Sequence, residues 1–194
     1  MARPLSEEKR NALLQAAAQA VAAEGLTATT SRISRLAGVA EGTLFTYFEN
    51  KDRLLNELYV HLKAGLREAM VTDFPHAASA GEQARHAWNG YIGWGLAQPD
   101  SHRALQQLIV SDRIDAAHRA AGAEGFAPLE AMLRSHLAPG DALAPAGALE
   151  FAGALFTAMA QTVMDFIARQ PEAAEAYRDR GFRAFWAALH AGTD

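Results

Sequence analysis

Apolar residues recur at helical spacing along almost the whole chain, and glycine, proline and capping residues divide that pattern into segments. Ser6 can cap a first helix with Glu7 and Glu8 in its opening turn; Leu14, Ala17 and Val21 form its apolar stripe and Gly25 ends it. Thr29 caps a short second helix with Ile33, Leu36 and Ala37 on its inner face. Gly38 makes a turn, and a third helix runs from about Ala40 to Phe48 with Leu44 and Phe48 inward. Asn50 caps a longer helix through Leu54, Leu55, Leu58, Leu62 and Leu66 to about Val71, too long for a small N-terminal bundle alone.

Beyond the Phe74-Pro75 break the pattern predicts helices over Gly81–Ala97, Ser101 to about Ala120, and Ala127–Leu137. Two long helices close the chain. One runs from Pro145 to Gln170, where Pro171 stops it, and the other spans Glu172 to Ala191. The expected fold is all-α, with about nine helices. Long β-branched runs are missing while alanine and leucine dominate, which agrees.

Composition narrows the chemistry. The 194 residues are 50% hydrophobic and 21% charged, enough to build a core in one or two domains. Net charge is −4, so the whole molecule is not a histone-like polycation. Residues 1–55 carry seven Lys/Arg against six Asp/Glu and the remainder eleven against sixteen, which makes the N-terminal part the less acidic one. The absence of cysteine excludes disulfides, thiol catalysis and thiolate metal sites. The polar MARPLSEEKR start lacks the apolar core of a signal peptide. Glu150, Gln161 and Asp165 interrupt the most apolar stretch, so a cytoplasmic protein without a membrane span is expected. No His-Glu-x-x-His site, phosphate-binding glycine loop or Gly-x-Ser-x-Gly elbow appears; the reading is of a non-enzyme with neither metal nor cofactor.

The segment from Thr29 to Phe48, TTSRISRLAGVAEGTLFTYF, carries most of the functional signal. Two short helices about a glycine turn make a helix-turn-helix, in which the second helix enters a DNA major groove. Its outward face would carry Thr43, Thr46 and Tyr47 with Phe45 at its side, groups suited to phosphates, base edges and thymine methyls. Lys51 just beyond would clamp a phosphate.

Gly25, Thr29, Ile33, Ala37-Gly38-Val39, Gly42-Thr43-Leu44, Tyr47-Phe48 and Lys51 together resemble the signature of the TetR family of bacterial transcriptional regulators, over roughly the first 55 residues. That resemblance implies backbone contacts from Thr29, Thr30, Tyr47 and Lys51, and base or methyl contacts from Thr43, Phe45 and Thr46. It also implies a three-helix DNA-binding domain at 1–55, with the helix-turn-helix at about 29–48, joined to a helical ligand-binding and dimerisation domain at 56–194. The implied partners are a roughly palindromic double-stranded operator, a small-molecule effector and a second copy of the chain. The implied role is a repressor released by its ligand.

Three positions depart from the family pattern. Ala40 stands where serine is usual and cannot cap the third helix. Glu41 stands where lysine is common, and Phe45 replaces tyrosine. A helical ligand-binding or protein-interaction module without specific DNA binding is the alternative those departures leave open.

Within the larger domain, Trp88, Tyr91 and Trp94, with Phe126, Met132, Gln106 and His136, are candidate ligand contacts, and His86 and Asp112 are further polar anchors. Leu149, Ala152, Phe156, Met159 and Val163 on one predicted helix, and Phe182, Phe185, Trp186 and Leu189 on the next, are candidate dimer contacts in a four-helix arrangement.

Overall fold

The computed structural model describes residues 6–134 and 145–189. Those residues form ten α-helices and no strand: α1 (Glu7–Glu24), α2 (Thr30–Leu36), α3 (Glu41–Tyr47), α4 (Lys51–Val71), α5 (Ala80–Ala97), α6 (Pro99–Ile109), α7 (Ala116–Ala123), α8 (Ala127–Arg134), α9 (Pro145–Arg169) and α10 (Ala174–Leu189). The expected starts hold. Ser6 Oγ accepts from Lys9 N at 3.4 Å, Thr29 Oγ1 from Arg32 N at 3.1 Å, and Asn50 Oδ1 from Arg53 N at 2.8 Å.

The helices gather into two compact units that do not follow chain order. Met1–Gly65 groups with Gln98–Glu124, and Leu66–Ala97 groups with Gly125–Asp194. Helix α4 begins in the first and ends in the second.

In the first unit α1 packs against both α2 and α6. Its buried residues therefore run around most of the helix: Leu13, Leu14, Ala16, Ala17, Ala18, Ala20, Val21 and Ala22. Alanines let two neighbours approach closely, and the stripe of Leu14, Ala17 and Val21 is only one side of this surface. Ile33, Leu44, Phe48, Leu54, Leu55 and Leu58 complete the core, each fully buried.

One helix expected over Ser101–Ala120 is two. Asp115 caps α7, accepting from His118 N at 2.9 Å, and the intervening turn is stitched by side chains from both directions. The Arg119 guanidinium donates to the carbonyls of Ile109, Ser111 and Ile114 at 3.0, 2.8 and 3.2 Å. Buried Asn56 on α4 donates Nδ2–H to Arg113 O at 3.0 Å and accepts Asp115 N–H at 2.9 Å. Backbone groups that a continuous helix would have satisfied are satisfied instead by these side chains.

The second unit is built on Trp88, fully buried on α5. Its ring stacks on Phe185 at 5.9 Å between centroids and meets the edge of Phe156 at 5.4 Å. Its Nε1–H donates to Arg178 O at 3.0 Å. The α5–α10 crossing is close because Gly181 has no side chain: a Cβ there would lie 2.9 Å from Trp88 Cζ2 and 2.4 Å from Val163 Cγ2.

Candidate nucleic-acid interface

Helices α2 and α3 are only seven residues each, so tertiary contacts hold them. Ile33 and Leu44, both fully buried, anchor them inward. Between them Gly38 takes φ +68°, the left-handed region that lets Val39 N–H reach back to Ser34 O at 3.0 Å. Leu36, expected inside, is 39% exposed, because the helix ends there and turns its last side chain outward.

Two long-range hydrogen bonds fix the end of α3 and the start of α4. Tyr47, half-buried, accepts Ser6 N–H on its hydroxyl at 3.1 Å, joining the end of α3 to the start of α1. The hydroxyl proton is left to donate outward. Lys51 Nζ donates to Leu26 O at 2.7 Å, joining the first residue of α4 to the turn after α1. An ammonium has three donors, so two remain for an anion. Burial holds the Lys51 pKa below its usual 10.5, Arg113 pushes it the same way, and Asp52 opposes both. Asp52 is itself paired with Arg113 at 3.0 Å.

On the outer surface Phe45 is 45% exposed, Thr29 and Thr46 are exposed and Thr43 is half-buried. Thr43, Thr46 and Tyr47 stand at one-turn spacing on α3. Two of the hydroxyl protons are already committed. Thr46 Oγ1 donates to Gly42 O at 3.0 Å, and Thr30 Oγ1 donates to Glu41 Oε1 at 2.6 Å. Ala40 opens α3 with no side-chain cap. Arg35, exposed in the last turn of α2, is a further cation on this segment that the sequence pattern did not single out.

The candidate ligand residues divide between the units. Trp88, Tyr91, Trp94 and Met132 are buried in the second unit, where Phe126 is half-buried. Gln106 lies on α6 in the first unit. His136 falls outside the described residues. Trp88 is committed to the aromatic core on both its ring and its N–H. His86 Nε2 lies 2.9 Å from Thr72 O, and Asp112 is exposed in the α6–α7 turn.

The candidate dimer residues are partly redirected. Ala152, Val163, Phe182 and Phe185 are buried within the chain itself. Phe156 is half-buried, with its ring against Trp88, Tyr91 and Phe185. Aromatic packing between α5, α9 and α10 claims that face, so these five side chains are core. Leu149, Met159, Trp186 and Leu189 are half-buried. The large apolar side chains that α9 does turn outward are Phe151, 62% exposed, and Phe166, 40% exposed.

A family model described as bacterial regulatory proteins, tetR family, matches residues 13–58. The HTH-type transcriptional regulator YhgD of Bacillus subtilis (strain 168) is 32% identical over 76 residues, which cover 37% of this chain and 40% of that relative. The match thus spans less than half of the relative's length. A tetR family transcription regulator from Shewanella sp. PV-4 superimposes with a TM-score of 0.76 at 24% identity, over 93% of this chain and 97% of the other. The TetR-like regulator LfrR from Mycobacterium smegmatis, solved in complex with proflavine, gives a TM-score of 0.71 at 20% identity, over 97% and 98%. Residues 13–58 of this chain thus match the bacterial regulatory proteins of the tetR family, and the chain's helical fold is that of these two regulators over almost their whole length.

Proposed function

We propose that the protein is a sequence-specific DNA-binding transcriptional regulator, a cytoplasmic homodimeric repressor that a small molecule releases from its operator, with no enzymatic activity. The observation that carries this reading is the pre-set geometry of the helix-turn-helix. Tyr47 and Lys51 are each held by a backbone partner far away in sequence while keeping donors for phosphate. Such contacts fix register on the duplex, and Thr43, Phe45 and Thr46 are left to meet base edges and methyls. Thr29 and Thr30 complete the proposed backbone contacts. DNA reading is assigned to residues 1–55 and ligand binding and dimerisation to 56–194.

The proposed dimerisation is supported by α9. Over Gly147–Arg169 it is apolar enough, at a mean hydropathy of 1.4, to satisfy a membrane-span criterion. Phe151 and Phe166 nevertheless face outward. A second copy covering that face removes it from water and makes an isologous four-helix contact with α10. Two recognition helices then meet half-sites about 34–36 Å apart.

LfrR was solved with a bound small molecule, which supports a ligand in the second unit here, with Tyr91, Trp94, Phe126 and Met132 as candidate contacts. Helix α4 runs unbroken from Lys51 to Val71, so a shift at its C-terminal end reaches the residue that clamps phosphate. Full release requires the ligand to prefer the non-binding state by roughly 5.5 kcal/mol.

The test is a Tyr47→Phe plus Lys51→Met variant, which keeps bulk and removes the outward donors together with the bonds to Ser6 N and Leu26 O. It should remain helical and dimeric, lose operator affinity by at least tenfold, and show a shallower salt dependence. Unchanged affinity and slope would overturn the site.

A further inference from the structure

Glu41 is the first residue of α3 and is exposed, and among the described residues it makes no ion pair. Its carboxylate accepts from Thr30, the first residue of α2, whose hydroxyl donates to Oε1 at 2.6 Å. The two residues therefore join the leading ends of both helices of the motif, where a docked helix-turn-helix meets DNA. A hydroxyl that donates to a carboxylate has no proton left for a phosphate. The exposed carboxylate also adds a negative charge at the leading end of α3.

Resting on the DNA-binding function proposed for this site, we propose that Glu41 is a specificity-determining residue that suppresses sequence-blind binding. Backbone affinity carries no sequence information, so a charge that repels phosphate weakens binding to any duplex on which base contacts do not hold α3 in place. On the operator, seating of Thr43, Phe45 and Thr46 on bases holds α3 in a register where Thr30 can exchange Glu41 for a phosphate. On other sequences nothing compensates. The Thr30–Glu41 pair thus trades raw affinity for a larger ratio between operator and bulk DNA, the quantity that decides occupancy in a genome.

The experiment compares wild type, Glu41→Gln and Thr30→Val for binding to the operator fragment selected by the wild-type protein and to a random duplex of equal length, from 50 to 200 mM salt. Glu41→Gln should bind random DNA about tenfold more tightly at low salt, with a salt slope steeper by about one unit, and gain less on the operator. Its operator-to-random ratio falls. Thr30→Val keeps the charge and should stay weak on random DNA, which separates the carboxylate's charge from the hydrogen bond. Equal ratios for Glu41→Gln and wild type overturn the proposal. So does a Glu41→Gln loss confined to the operator, which would make the carboxylate a base-edge acceptor instead. Wild-type protein that selects no fragment overturns DNA binding itself, and the role of Glu41 with it.

Discussion

Asn56 offers the sharpest quantitative test of how the first unit is held together. It is 5% exposed on α4, and its amide makes three hydrogen bonds: to Asp52 O at 2.8 Å, to Arg113 O at 3.0 Å and from Asp115 N at 2.9 Å. In Asn56→Ala the Asp52 carbonyl keeps its helical partner, while Arg113 O and Asp115 N lose theirs at a part-buried place. A net hydrogen bond contributes about 0.5–1.5 kcal/mol, so the loss of these two part-buried bonds predicts a destabilisation of about 1–3 kcal/mol. For a chain of this size that lowers Tm by roughly 2–12 °C. Urea and thermal unfolding at fixed protein concentration measure it, since the proposed dimer makes stability concentration-dependent. Asn56→Asp is the control: near neutral pH a carboxylate faces the carbonyls of Asp52 and Arg113, so it should be at least as damaging as alanine, and acidification that protonates it should restore part of the loss. A change below about 0.5 kcal/mol for Asn56→Ala would refute the claim that this amide pins the α6–α7 turn to α4.

Other outcomes depend on single side chains. The Ser34 hydroxyl, 2% exposed, meets no hydrogen-bond partner among the described residues, so Ser34→Ala should stabilise the protein by about 1 kcal/mol in urea unfolding. Desolvation, with Arg10 adding its charge, holds His61 below its ordinary 6.5; the unfolded chain therefore binds the proton more readily, and stability should fall as pH drops below 6.5. His61→Gln should flatten that part of the stability–pH profile while leaving stability above pH 7 nearly unchanged. Phe151→Glu with Phe166→Glu should convert the proposed dimer to a folded monomer in sedimentation equilibrium, whereas a dimer retained by the variant would remove the outer face of α9 from the proposed interface.

The local punctuation of the fold was legible because it depends on neighbours in sequence. Ser6, Thr29 and Asn50 cap through bonds to residues three positions on, and Gly38 turns through its own φ. What was not legible depends on distant partners. Alanine reads as neutral in a periodicity argument, so the second buried side of α1, against α6, was invisible. The α6–α7 break depends on Asn56, more than fifty residues upstream, although Asp115 three residues before His118 was a local signal of a new helix start. At the candidate interface the residues could be named from the sequence, but their internal bonds could not. Tyr47 to Ser6 and Lys51 to Leu26 span 41 and 25 residues. The apolar stripes of α9 and α10 were real, yet their spacing could not say which side faced Trp88. The aromatic contacts gave that side to the core and left Phe151 and Phe166 outside.

Selection of bound duplexes from a random DNA library by the purified full-length protein, at about 150 mM salt, tests the central claim most directly. The account predicts enrichment of a roughly palindromic sequence whose half-sites lie about one helical turn apart, and loss of that enrichment in the Tyr47→Phe plus Lys51→Met variant. A folded wild-type protein that enriches no sequence, or a variant that enriches the same one equally well, would contradict it.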